Sequence, residues 1–182
     1  MSLTPGVPQR FEKDRLAFPG MQPEETLVWR AWLALFEQGY EAFDYNTRIG
    51  AGDVPPNVTS EATVRDAILN SQLRLDAVGW TGIAGLSFPT GTFTPQEVYA
   101  VVPNAQATLF EVKRRAATAA GTEIITYFHL WQDDFPNAPP PAMVIVANTY
   151  SQTVKPAWDR QGIKLEIVTV DFSSLRPRFK KG

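Results

Sequence analysis

The stretch Leu109-Phe110-Glu111-Val112-Lys113 decides how the rest of this chain is read. Successive side chains of a strand point to opposite faces. Phe110 and Val112 therefore enter one side of a sheet, while Glu111 and Lys113 share the other. A charged pair in the middle of a sheet costs free energy unless it is used. Upstream, Leu73-Arg74-Leu75-Asp76-Ala77-Val78 reads as another strand with one isolated Asp. Alternation puts Leu73, Leu75 and Ala77 on one of its faces and Arg74, Asp76 and Val78 on the other. If the two strands pair, Asp76 and Glu111 converge on one hard cation. Two carboxylates, waters and a substrate phosphate are a usual way of holding Mg²⁺. Lys113 beside them would orient or help deprotonate an attacking water and offset phosphate charge. The bland alternative is a Glu–Lys pair on the surface of an edge strand.

Pro23 with Glu24 and Glu25 starts a helix, with proline in its first turn and acids at the positive end of the dipole. From Leu27 to Phe36 it is apolar nearly all round, which predicts burial on more than one side, and Gly39 ends it. Glu41 to Ile49 alternates as a strand, with Phe43, Tyr45, Thr47 and Ile49 on one face. Ser60 to Leu69 reads as a short helix. Gly82 to Asn104, rich in Gly, Pro and Thr, reads as a long connection with a hairpin around Thr94. A helix is expected over Arg115 to Trp131, striped by Ala117, Ala120, Ile124, Phe128 and Trp131, with Gly121 marking close packing. Ala142 to Ala147 is a continuous apolar run, the mark of a strand covered on both faces. Ile163 to Val170 is a last strand, with Ile163, Leu165 and Ile167 inward.

The expected architecture is α/β in the α+β sense: a mixed central sheet flanked by helices. Residues 1–22 form an extended arm, 23–171 a single domain and 172–182 a basic tail containing Arg176, Arg178, Lys180 and Lys181. The 182 residues suit one domain. Without cysteine the chain has no disulfide, thiolate zinc site or cysteine nucleophile. A lone histidine, His129, leaves little room for a histidine-rich metal cluster or a Ser-His-Asp device. Its helical spacing to Asp133 permits a ligand pair, but its apolar neighbours favour a packing role. A net charge of -2 gives no global cationic field, so a nucleic-acid reading rests on local charge such as Arg114 and Arg115 beside Lys113. Trp80 and Trp158 are candidate stacking platforms for bases. The start lacks a basic region followed by an apolar core, and no apolar run reaches the roughly 18 residues of a membrane span. The expected location is cytoplasmic, or a virion if the chain is a viral structural protein. Asn57-Val58-Thr59 matches a glycosylation sequon by coincidence.

Three segments, Arg74-Leu75-Asp76-Ala77-Val78-Gly79-Trp80, Phe110-Glu111-Val112-Lys113 and Gly121-Thr122-Glu123-Ile124-Ile125-Thr126-Tyr127, resemble the PD-(D/E)XK nuclease superfamily over roughly residues 23–170. The resemblance implies the restriction-endonuclease-like αβββαβ core and a nuclease hydrolysing DNA with Mg²⁺ or Mn²⁺. It implies Asp76, Glu111 and the Val112 carbonyl as metal ligands and Lys113 as the water-orienting cation. It also implies an acid from the first helix, Glu25 or Glu24, and phosphate contacts by Arg114 and Arg115. The chain departs from the pattern in two places: 34 residues separate Asp76 from Glu111, and Glu123 stands where many relatives carry glutamine. The competing reading is a catalytically silent nuclease-like module of a large assembly, such as a phage head, neck or tail. In that reading other chains hold the arm, which has no apolar stripe of its own, and the tail.

Overall fold

The computed structural model describes residues 15–52, 60–83 and 94–175. The sequon and the four tail cations lie outside these residues, as does most of the N-terminal arm. In chain order the elements are α1 (Pro23–Phe36) with a closing 3-10 turn (Glu37–Gly39), β1 (Ala42–Ile49), α2 (Glu61–Ser71), β2 (Leu73–Thr81), α3 (Pro95–Val101), β3 (Gln106–Ala116), α4 (Thr118–Asp134), β4 (Ala142–Tyr150), α5 (Lys155–Arg160) and β5 (Ile163–Ile167). Among the described residues the strands form one sheet in the order β1-β2-β3-β4-β5. β1, β2 and β3 pair antiparallel, whereas β3, β4 and β5 pair parallel. Parallel neighbours need a crossover, and α4 and α5 supply the two. With α2 and α3 taken as insertions, the order is the αβββαβ expected. The 34-residue gap between Asp76 and Glu111 is filled partly by α3.

Each face of the sheet has its own core. On the α1 side Trp29 and Trp32 stack 4.7 Å apart and meet Phe110 edge-on at 5.0 and 4.8 Å. Phe43, Tyr45, Ala77, Val112, Val144 and Val146 complete that layer. On the α4 side Leu75, Val78, Trp80, Leu109, Ile145 and Ala147 pack against Ile124 and Trp131. β4 is thus apolar on both faces, as its sequence requires. At Gly121 of α4 a Cβ would come 2.0 Å from the Trp158 indole nitrogen, so only glycine admits α5 at this distance.

The structure changes several expectations. Thr94 begins no hairpin: it caps α3, its Oγ1 accepting from the Glu97 N–H while its own N–H donates to the Glu97 carboxylate. That reciprocal box with Pro95 behind it is a helix start. Arg115 belongs to β3 rather than to the next helix, because the ladder to β4 continues through Ala116↔Tyr150. α5 has only six residues and left no periodic trace in the sequence. Ile167, expected inward, is 45% exposed at the end of the edge strand. The described end of the arm lies on its own chain: Phe18 is buried against Tyr45, and the Arg15 guanidinium sits 5.3 Å from the Tyr45 ring centre.

The alternation of β1 and β2 is also broken. Phe43 and Tyr45 face α1, but Ile49 faces α4; on β2, Ala77 faces α1, but Leu75 joins Val78 and Trp80 on the α4 side. The register is the same on either side, Tyr45↔Ala77 and Thr47↔Leu75, but Asn46 and Asp76 between them do not pair. Both strands therefore change phase at the residues between those pairs, Asn46 and Asp76. Asn46 has φ 56°, the left-handed region, which reverses the pleat and supplies the physical reason.

Candidate active site

The site forms where β2 and β3 part. Their pairing reaches Ala77↔Phe110 and goes no further toward the end of β3. Two residues on, the Val112 N–H donates not to a β2 carbonyl but to Asp76 Oδ2, at 2.8 Å. Asp76 thereby satisfies a backbone donor at the mouth of the split with one of its two oxygens. Phe110 and Val112 sit in the α1-side core, as alternation predicts. Glu111 and Lys113 face the other way, toward α4. Glu111 is 2% exposed. The Lys113 ammonium contacts Glu111 Oε1 and lies 3.3 Å from Glu123 Oε2 and 3.9 Å from Glu25 Oε1.

Helix ends set the outer acids. The other oxygen of Glu25 accepts from the Gln22 N–H at 2.8 Å, so the carboxylate that closes the α1 N-terminus also presents an oxygen to Lys113. Glu24 points elsewhere, to Arg114 at 2.6 Å. Glu123 and Tyr127 are one turn apart on α4, hence on one face. Tyr127 is buried beside the same carboxylates. In the sequence Tyr127 closes the segment Gly121 to Tyr127, where it carries no assigned role.

The protonation pattern is that of carboxylates crowded together and buried. Burial pushes the Asp76 carboxyl up to about 6, against the pull of the Val112 N–H and of Lys113. Glu111 is pushed up to about 9, first by burial, then by the Asp76 charge and a hydrogen bond with Glu123. That bond holds Glu123 below the usual carboxylate range. Burial opposes the Lys113 charge, but Glu111, Asp76 and Glu123 together raise its pKa above the ordinary value. Lys113 is thus a fixed cation at neutral pH. Burial, followed by the charges of Glu111, Glu123 and Asp76, raises the Tyr127 hydroxyl.

Among the described residues no three Asp, Glu or His side chains form a ready-made metal cage. The donor set at the split is two carboxylates, Asp76 and Glu111, both hard oxygen ligands. That fits Mg²⁺ or Mn²⁺, which keep several waters and take one or two carboxylates. Arg114 and Arg115, expected to act together, diverge. Arg114 is held by Glu24, with its guanidinium 4.8 Å from the Phe172 ring centre. Arg115 is exposed near the end of β3. Trp80 and Trp158 are buried and offer no stacking platform. His129 is exposed, edge-on to Phe128. Among the described residues no helix is long and apolar enough to cross a membrane.

No protein-family model matches the chain, and no curated protein does. A solved structure, a repair endonuclease from Pyrococcus abyssi, is similar over 86% of this chain, with 13% identity and a TM-score of 0.43. The match covers 51% of that protein, so the chain spans about half its length.

Proposed function

We propose that this protein is a metal-dependent nuclease that hydrolyses DNA phosphodiester bonds. The observation that carries the reading is the meeting, at one split in the sheet, of a buried Glu111, the Asp76 carboxylate and the Lys113 ammonium. Asp76 and Glu111 would hold Mg²⁺ or Mn²⁺, with the Val112 carbonyl as a further ligand. The ion, when bound, supplies Lewis-acid activation of the phosphate and acidifies water. Lys113 remains protonated, so its part is electrostatic: it orients the attacking water and offsets charge growing on the phosphoryl oxygens. Glu25, anchored by the α1 cap, positions the Lys113 ammonium. Arg115, exposed two residues beyond Lys113, would contact a flanking phosphate. Arg114 would do so only after leaving Glu24.

The test is plasmid nicking by the full chain. Cleavage is expected with Mg²⁺ or Mn²⁺ and not with chelator, and Lys113→Ala should lose 10²-fold or more in rate while keeping the fold. Folded protein that cuts neither DNA nor RNA with either metal would reject the proposal. Undiminished cutting by Lys113→Ala would reject the role given to that residue.

A further inference from the structure

Asp44 is a buried carboxylate that the proposed chemistry does not use. It is 6% exposed and lies on β1, away from β3. Its Oδ1 accepts from the Tyr45 N–H at 2.9 Å and its Oδ2 from the Thr47 hydroxyl at 2.6 Å. In a regular strand, residues three apart point to opposite faces and cannot bond in this way. The bond exists because Asn46, between them, takes a left-handed backbone with φ 56°. A lone non-glycine residue in that region costs of order 1–3 kcal/mol and persists only where its surroundings fix it. The Asp44–Thr47 hydrogen bond spans the reversed residue, whose own side chain packs against Gly20.

The reversal has a target. Asn46 lies between Tyr45 and Thr47, whose partners Ala77 and Leu75 flank Asp76. β2 changes phase with β1, so Leu75 and Ala77 face opposite cores. At that break Asp76 reaches across toward β3 and takes the Val112 N–H. We infer that the Asp44–Thr47 clamp is a positioning device: by holding Asn46 left-handed it sets the β2 phase change that aims the Asp76 carboxylate at Val112 and the split. The inference rests on the proposed function for its purpose, but not for its geometry.

The experiment reads the two apart. Amide hydrogen exchange of Val112 reports the Asp76 hydrogen bond whether or not the protein cuts DNA. Calorimetric titration with Mn²⁺ reports the ligand set. Asp44→Ala and Thr47→Val should each speed Val112 exchange about tenfold relative to Leu109 and Ile145, and weaken Mn²⁺ binding by a similar factor. Asp44→Asn, which keeps an acceptor for the Tyr45 N–H, should do less. Adding Asn46→Gly to Asp44→Ala should restore both readouts, because glycine takes positive φ without a clamp. Exchange at Val112 that is unchanged in both clamp variants overturns the inference. So does a loss that Asn46→Gly fails to rescue, or one shared equally by Leu109 and Ile145, since the clamp would then serve general stability. Intact positioning in a protein that never cuts DNA would leave the inference standing and remove the nuclease proposal.

Discussion

β3 and β4 run side by side and parallel, each covered on both faces, yet they treat the α4 face differently. Glu111 lies beside Ile145 and Lys113 beside Ala147. On the α1 face the two strands are alike, Phe110 and Val112 beside Val144 and Val146. β4 is therefore what this position in the sheet looks like when stability alone shapes it. β3 keeps the same apolar face and places a carboxylate and an ammonium on the other, where burial opposes both charges. Replacing a buried ion pair by well-packed apolar groups is often neutral or stabilising by about 1–4 kcal/mol. The pair is thus poorly explained as a fold-holding contact and well explained as a working one.

The comparison breaks most sharply if β3 is rewritten as β4. Glu111→Ile with Lys113→Ala copies Ile145 and Ala147 onto the neighbouring strand. We expect cutting to fall by 10²-fold or more and the metal-free protein to gain up to about 4 kcal/mol in urea unfolding. A rewritten strand that unfolds more easily than the parent would show that the pair serves the fold.

Asp76 gives the next largest effect. Its folded-state pKa, raised to about 6 mainly by burial, lies above its value of roughly 3.9 in the unfolded chain. The proton is therefore bound more tightly in the folded state. The stability this contributes is complete below about pH 4 and lost as pH rises through about 6. Asp76→Asn keeps an acceptor for the Val112 N–H and cannot ionise. Relative to the parent it should therefore gain about 3 kcal/mol between pH 4 and 7, at 1.36 kcal/mol per pKa unit, while cutting is lost. Parallel stability curves for the two proteins across that range would refute the desolvated carboxylate.

Most of this contrast was legible before any coordinates. Period-two spacing put Glu111 with Lys113, and the unbroken apolar run from Ala142 gave β4 its two covered faces. The faces of β1 and β2 were not legible, because asparagine at position 46 does not announce a left-handed backbone and the hydrophobic pattern looks regular across it. Leu75 and Ala77 were thus assigned one face and occupy two. α3 was hidden by the Gly, Pro and Thr around it, although Thr94, Pro95 and Glu97 spell a capped start. Which of Glu24 and Glu25 turns to Lys113 depends on the rotation of α1 against the sheet, and no local pattern encodes that.

On the apolar side of the comparison, Ile145→Val removes one methylene from a fully buried position beside Glu111. Such a change typically costs about 0.5–1.5 kcal/mol. Thermal unfolding should show that loss, with cleavage per folded molecule unchanged. A drop in cleavage beyond the folded fraction would mean that β4 shapes the site and does more than fill space.

The smallest effect is expected at Tyr127, where the two kinds of surface meet. Its ring packs with the α4-side core, while its hydroxyl feels Glu111, Glu123 and Asp76. Tyr127→Phe keeps the ring and deletes only the polar end. A hydrogen bond donated by that hydroxyl to a bound phosphate would be worth about 0.5–1.5 kcal/mol, which corresponds to a two- to tenfold change in rate. Burial and the neighbouring carboxylates keep the hydroxyl protonated at neutral pH, so the loss should be independent of pH between 6 and 9. A slower variant with parent stability places the hydroxyl on the working side. Parent rates with lowered stability would place all of Tyr127 in the core, beside Ile124 and Trp131.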